Sequence, residues 1–250
     1  MTTRPAQRRV LQLTGSDAED FLQGLVTNDI ARLDAGLVYA ALLTPQGKYL
    51  ADFFLCRQNG AILLDVAEQL ADDLVKRLSL YKLRADVAIA PSGLQVQRGT
   101  GPAPAEALCD PRHPALGWRR YSHDAESDDG RDWAAIRIAH LIPETGIELT
   151  PETYILEANF EALNGVDFRK GCYVGQEVTA RMKHKTTLRK GLARVSVGGP
   201  VPVGTEILAQ GKPAGILYTQ SGGTGLAYLR FDRARGAAMT AAGLAVHLLA

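Results

Sequence analysis

The stretch Gly165–Leu192 reads GVDFRKGCYVGQEVTARMKHKTTLRKGL. It differs from the rest of the chain in charge and in the placement of its glycines. Between Arg169 and Arg194 eight lysines and arginines stand against one acid, Glu177, in a chain whose formal net charge is only +1. Positive charge is therefore concentrated here, and an anion or an acidic partner is the natural consequence. Val174, Val178 and Met182 recur every four residues, with Glu177 and Arg181 as an i,i+4 pair. That spacing predicts a helix starting near Tyr173 or Val174. Cys172 then falls at a helix N-terminus beside Arg169 and Lys170, where the dipole and the cations favour the thiolate, the form that ligates metal. Gly171 and Gly175 flank it without side-chain bulk, allowing tight turns and close approach of a ligand. His184, twelve residues after Cys172, is a candidate second ligand; its alternative reading is an ordinary surface histidine among lysines.

Outward from this segment the chain divides by its periodicities. Val10 to Leu13 alternates like a strand, and Ser16-Asp17-Ala18-Glu19 fits a capping box ahead of Phe21, Leu22 and Leu25. Tyr39–Leu43, Tyr49–Cys56 and Ala61–Val66 are strand-like runs separated by the turn signals Pro45-Gln46-Gly47 and Asn59-Gly60, an antiparallel meander. Ala67–Tyr81 carries Leu70, Leu74, Leu78 and Tyr81 at helical spacing, and Leu83–Ile89 reads as the next strand. Gly99–Pro104 and Asp124–Asp132 read as loops, and Trp133–Leu141 as a short helix closed by Pro143. From Leu188 onward, short runs at Leu192–Val197, Glu206–Ala209, Ala214–Thr219, Thr224–Leu229 and Leu244–Leu249 alternate with Gly- and Pro-bearing turns. This rhythm predicts a small all-β domain, a barrel.

Composition bounds the function. With 250 residues, 46% apolar and 22% charged, the chain can bury a full core without a metal or disulfide staple. The near-zero net charge favours neither a nucleic-acid binder nor a membrane-surface protein, and the longest apolar runs fall far short of the ~20 residues of a membrane span. Met1 to Val10 carries three arginines but no apolar run or cleavage site, so no secretory signal is read there. A cytoplasmic protein is expected. Cys56, Cys109 and Cys172 are an odd set, each more than fifty residues from the next, which suggests neither a disulfide framework nor a self-contained metal site. Cys56 is read as packed in the meander and Cys109 as a loop residue, since an isolated cysteine usually behaves as a small hydrophobe.

The signature Lys170-Gly171-Cys172-Tyr173-x-Gly175-Gln176-Glu177, followed by Thr179-Ala180-Arg181 and a histidine, resembles that of the YgfZ-type branch of the aminomethyltransferase-like, folate-binding proteins. The longer string from Leu156-Glu157-Ala158-Asn159 through Asn164-Gly165-Val166 to His184 is similar to the sub-branch containing the mitochondrial late iron–sulfur assembly factor. Further similarity lies at Phe21-Leu22-Gln23-Gly24, Thr27-Asn28-Asp29, Thr44-Pro45-Gln46-Gly47, Ala51-Asp52-Phe53 and Tyr81-Lys82-Leu83-Arg84. The resemblance implies an α+β, GcvT-like folate-binding fold with a ferredoxin-like part and a C-terminal β-barrel. It places the folate-binding region at 1–190, with a break near 99–131, and the barrel at 191–250. The family's activity, help in maturing [4Fe-4S] proteins that include tRNA-modifying enzymes, implies a role for Cys172, with client enzymes as partners and tetrahydrofolate as a cofactor.

An iron–sulfur cluster wants about four ligands, and this chain offers one good cysteine. Cys172, with His184 as a further candidate, is therefore expected to complete a transient cluster shared with another cysteine-bearing assembly protein, which the resemblance implies is an A-type carrier, in an assembly factor rather than an enzyme. The alternative is folate-dependent one-carbon transfer of the aminomethyltransferase kind. A carboxylate grips the amino-pyrimidinone edge of folate and a cation its glutamate tail, for which Glu157, Asp52 and Arg84 are candidates. Each also has a simpler reading as a surface residue or an ion-pair member. Ala51 stands where the aminomethyltransferases carry the other half of an acidic pair, which argues against transfer. Direct RNA binding, suggested by the link to tRNA modification, ranks last, because the basic segment has only Tyr173 as a nearby stacking aromatic.

Overall fold

The computed structural model describes residues 7–185 and 187–249. The first six residues of the arginine-bearing amino terminus and position 186 of the basic run lie outside the described residues. Two compact units are formed, one by residues 7–131 with Glu161–Val178, the other by Asp132–Phe160 with 179–249.

The first unit is built on a five-stranded antiparallel sheet in the order β2-β3-β4-β1-β5, from β1 (Arg8–Thr14), β2 (Val38–Leu43), β3 (Tyr49–Gln58), β4 (Ala61–Ala67) and β5 (Ala88–Pro91). The β3–β4 hairpin turns on Asn59 and Gly60, both at positive φ, as a two-residue Asn-Gly turn requires. Helix α1 (Ala18–Gln23) follows β1, and α2 (Glu68–Lys82) follows β4. Ala71, Leu74 and Leu78 of α2, at helical spacing, join Leu13, Leu22, Phe53, Leu55 and Leu64 in one core. Burying each such large side chain is worth ~1.5–3 kcal/mol. A second sheet, β6-β8-β7, comprises β6 (Gln95–Gly99), β7 (Leu108–Cys109) and β8 (Trp118–Ser122).

The two sheets of this unit are joined by charge as well as by apolar contact. Asp65 on β4 accepts from Arg8 Nε (2.6 Å), Arg119 Nη1 (3.0 Å) and Tyr121 Oη (3.1 Å). Asp110 accepts from Arg112 (2.8 Å) and Arg119 (3.2 Å). The guanidinium carbons of Arg119, Arg112 and Arg8 lie 3.9, 4.7 and 5.6 Å from the ring centroid of Phe54. A buried network of this kind is tolerable because every charge is paired or hydrogen-bonded.

The second unit contains α3 (Trp133–Ala139) and a closed six-stranded barrel in the order β10-β11-β12-β9-β14-β13. The helix α4 (Gln176–Lys185) runs from the end of the first unit into the second. The barrel strands are β9 (Lys190–Val197), β10 (Thr205–Ala209), β11 (Lys212–Ser221), β12 (Thr224–Arg230), β13 (Met239–Ala241) and β14 (Leu244–Leu248), with α5 (Phe231–Ala234) between β12 and β13. Val195, Ile207, Leu217, Leu229 and Val246 fill it. Arg137 of α3 donates to Glu148 (3.2 Å) and to Thr219 on β11 (2.6 Å), while Thr219 donates to Glu148 (2.5 Å).

Several local expectations are corrected. No capping box forms at α1: the Ser16 hydroxyl donates to Asp86 (3.0 Å), and the N-cap is Asp17, whose side chain makes no cap bond. The strand expected over Leu83–Ile89 begins only at Ala88, because Leu83 takes positive φ and Asp86 N–H donates to the Asp17 side chain (2.8 Å). Cys109 belongs to the two-residue β7. Helix α4 starts at Gln176, not at Tyr173 or Val174, since Gly175 in the left-handed region cannot be its first turn.

Candidate functional site

The motif loop is held by the segment Thr27-Asn28-Asp29, which lies in the same unit. Thr27 Oγ1 donates to the Gly165 carbonyl (2.7 Å) and accepts from the Ala41 N–H (2.8 Å), and Asp167 N–H donates to the Thr27 carbonyl (3.0 Å). Asn28 Nδ2 donates to the carbonyls of Tyr39 (2.8 Å) and Asn164 (2.7 Å). The loop is thereby stitched to the β2 edge of the sheet.

Within the loop, Asp167 accepts from the N–H groups of Arg169 (2.6 Å) and Lys170 (3.2 Å) and from the Arg32 guanidinium. Burial alone would raise its carboxyl, but those backbone donors and Arg32 hold it below the ordinary range. Lys170 is buried, and its ammonium donates to three carbonyls, Gln23 (2.7 Å), Val26 (2.6 Å) and Asn28 (3.0 Å). All three of its donors are used. Burial lowers its pKa to about 8, against the opposing pull of Asp29 and Asp167. Its Nζ lies 5.2 Å from the centroid of the buried Tyr173 ring. Lys170 is thus a post that fixes the loop.

The two motif glycines play different parts. Gly175 has φ +84°, and a Cβ there would stand 2.6 Å from the Thr44 carbonyl and 3.2 Å from Gly47 Cα. Gly47, at φ +76°, would in turn push a Cβ to 2.9 Å from Val178 Cβ. The glycines of Thr44-Pro45-Gln46-Gly47 and of the motif therefore press backbone on backbone. Gly171 has nothing within 4 Å of its would-be Cβ, so it leaves open space beside Cys172.

Cys172 is exposed and lies four residues ahead of α4. The predicted placement at the helix N-terminus is corrected, and the dipole, which acts over the first turn, is no longer an argument for this thiol. Cys56 is buried on β3, and burial, then Asp65, pushes its thiol up to about 12. It is no metal ligand. Cys109 is exposed. His184 and Glu177 are exposed on α4, and Gln176 is half-buried. Among the described residues no group of three or more His, Cys, Asp and Glu side chains is arranged to hold a metal ion.

The folate candidates sit in different surroundings. Asp52 on β3 is buried, and its two carboxylate oxygens accept from Tyr49 Oη (2.6 Å) and Tyr39 Oη (3.1 Å). As arranged, it presents no open edge to a ligand. Arg84 is exposed on the turn after α2. Glu157, in the second unit, is half-buried and accepts from Tyr228 Oη (2.5 Å), while its backbone carbonyl accepts from Leu192 N–H (2.8 Å). Burial and Glu157 raise the Tyr228 hydroxyl above its ordinary range. Of the three, Glu157 alone is half-buried, between the buried Asp52 and the exposed Arg84. The second unit also carries a cleft of about 460 Å³ bordered by Asp132, Gly198, Ser221 and Gly223, and none of the residues named as candidates lines it. The Phe54 arginine network and the Arg137–Glu148–Thr219 triad carry no motif signal in sequence, because their members lie scattered along the chain.

An α+β body with a closed C-terminal barrel has the aminomethyltransferase-like fold, here with a motif loop that presents one thiol. The fold is that of the glycine cleavage system aminomethyltransferase T from Bartonella henselae, with a TM-score of 0.74 at 12% identity, covering 100% of this chain and 86% of that one. Residues 189–250 match the family described as the CAF17 C-terminal β-barrel domain. The chain is 32% identical to the iron–sulfur cluster assembly factor IBA57, mitochondrial, of Mus musculus, covering 92% of this chain and 77% of that protein. It is 31% identical to that of Homo sapiens over the same shares, and 35% identical to the IBA57 homologue of Mycosarcoma maydis, of whose length it spans 57%. The chain belongs to the IBA57 family of iron–sulfur cluster assembly factors. The expected cytoplasmic location is overturned by these relatives, all named as mitochondrial. That expectation rested on the lack of a secretory signal and of a disulfide framework, and neither separates the cytoplasm from another reducing compartment. No helix among the described residues is long and apolar enough to cross a membrane.

Proposed function

We propose that this chain is an iron–sulfur cluster assembly factor in which the Cys172 thiolate supplies one ligand to a cluster held jointly with an A-type carrier, for delivery to [4Fe-4S] client proteins. The observation that carries the reading is the exposed Cys172 thiol on a loop pinned on both sides, by Lys170 and Asp167 before it and by Gly175 after it. Fixing the loop limits the conformational entropy lost when a ligand is captured. With no other motif cysteine beside it, the remaining ligands must come from a second protein. Binding requires the thiol to lose its proton, so loading is expected to weaken as pH falls.

The test is anaerobic reconstitution with an A-type carrier, followed by visible and Mössbauer spectra of wild type and Cys172→Ser. A cluster-bearing heterocomplex is expected only with Cys172; spectra indifferent to the substitution overturn the proposal. Folate binding is the second reading, favoured by the half-buried Glu157 beside Tyr228. Calorimetric titration with tetrahydrofolate should show binding that Glu157→Ala weakens, and unchanged binding removes Glu157 from the site.

A further inference from the structure

The last turn of α2 and the residue after it carry three large apolar side chains on the surface within four residues: Leu80, Tyr81 and Leu83 are 77%, 41% and 89% exposed. Scattered exposed leucines need no explanation, but these fall within four residues of the chain. Leu83 also sits at φ +47°, ψ −104°, a backbone conformation that costs an L residue free energy and that glycine adopts freely. The fold gains nothing from a leucine there, since the side chain is almost wholly in water. Arg77 and Arg84 are exposed beside it and form no ion pair among the described residues, and Lys82 lies near the Asp86 carboxylate. The carboxylates behind the turn are engaged: Asp86 accepts from Ser16 N–H and Oγ, both at 3.0 Å, and Asp17 accepts from Asp86 N–H (2.8 Å).

The topology separates this knuckle from Cys172. The motif loop packs on β2 and the β2–β3 turn, while Asp86 is anchored at Gly15–Asp17, the residues that follow β1. From β2 to β1 there are three strand spacings in the sheet, about 14 Å at 4.8 Å each. By the register Leu13 lines up with Ile62 and Arg57, some seven positions along the strands from Leu43, about 23 Å at 3.3 Å per residue, so the two anchor points lie at opposite corners of the sheet.

We infer that the Leu80–Arg84 knuckle is the docking point for the cluster recipient, an apo [4Fe-4S] protein presenting an apolar recess rimmed by carboxylates, while the carrier occupies Cys172. The inference rests on the assembly reading above. Tyr81 and the unpaired arginines are residue types enriched among interfacial hot spots, Leu80 and Leu83 add exposed apolar area beside them, and the cations select an acidic rim.

The experiment measures, by calorimetry, the affinity of the full chain for a purified apo [4Fe-4S] protein and for the A-type carrier, using Leu83→Gly and Leu80→Ser. Leu83→Gly keeps the backbone conformation, so its thermal midpoint should be unchanged or higher. Recipient affinity should fall roughly thirtyfold in each variant, the loss expected on truncating an interfacial anchor. Carrier affinity and the Cys172-dependent cluster spectrum should not change. The inference is overturned if the recipient does not bind wild type, if both variants bind it as wild type does, or if carrier binding falls in step. Failure of the Cys172→Ser spectrum to differ would sink the cluster-ligand reading while leaving the recipient affinities to decide the knuckle.

Discussion

Gly175→Ala is the sharpest probe of how the motif is built. Two penalties add. At φ +84° an L residue costs ~1–2 kcal/mol relative to glycine. The new methyl would also stand 2.6 Å from the Thr44 carbonyl oxygen and 3.0 Å from Leu43 Cβ, closer than non-bonded contact allows. Thr44 and Gly175 are both backbone-locked, so relief requires main-chain movement, for which overpacking typically costs ~1–3 kcal/mol. The expected loss is about 3 kcal/mol, a large share of the ~5–15 kcal/mol that stabilises a typical domain. Urea unfolding followed by the fluorescence of Trp118, which lies in the same unit, measures it. Gly171→Ala is the internal control: its Cβ meets nothing within 4 Å, so stability should stay within ~0.5 kcal/mol of wild type. If Gly175→Ala is as stable as the control, the close approach of the two glycine turns is not what fixes the loop.

Lys170→Met should destabilise the first unit by roughly 2 kcal/mol, because three buried carbonyls lose their donor, and should speed alkylation of Cys172; an unchanged alkylation rate would free the loop from dependence on this post. The Lys170 ammonium, followed by NMR of its side chain, should titrate near 8. Its folded pKa lies below the unfolded value of 10.5, so stability should rise with pH between about 8 and 10.5. Asp110, whose carboxyl is held at about 2 despite burial by Arg112 and Arg119, has the opposite window. Its stabilisation, about 2 kcal/mol from the gap between 3.8 and about 2, is present above pH 4 and lost as pH falls toward 2. Acid unfolding of Asp110→Asn should lack that step, and a curve superposable on wild type would count against the Arg112–Arg119 clamp.

Elements ruled by one periodicity were legible in sequence. The meander, α2 and the barrel strands announce themselves by alternation or by Leu74 and Leu78 at helical spacing, and the barrel closes as the turn rhythm expected. Short or charge-built elements were not. β6 and β7 have too few apolar residues to signal strands, and β13 has three residues. The start of α4 was misplaced because Val174 fits the helical repeat, while the positive φ of Gly175 comes from a contact with Thr44 that lies more than a hundred positions away. Leu83 broke an expected strand for a like reason: the pull on the chain is Asp86 against Ser16 and Asp17, a pairing across some seventy residues.

The motif itself divides by what each residue touches. Lys170 spends its charge on three carbonyls, Tyr173 is buried beneath that ammonium, and Gly175 exists to let two backbones meet. These residues serve geometry. Subtracting them leaves Glu177 exposed on α4 and, ahead of the helix, Gly171 and Cys172 at the surface, one offering space and the other a thiol. A basic loop beside a cysteine invites the reading that the cations exist to ionise it, yet Lys170 points its donors into the fold. The specificity of the signature therefore lies in placing one soft ligand on a rigid loop, which is the requirement of a site that must share a cluster and then release it.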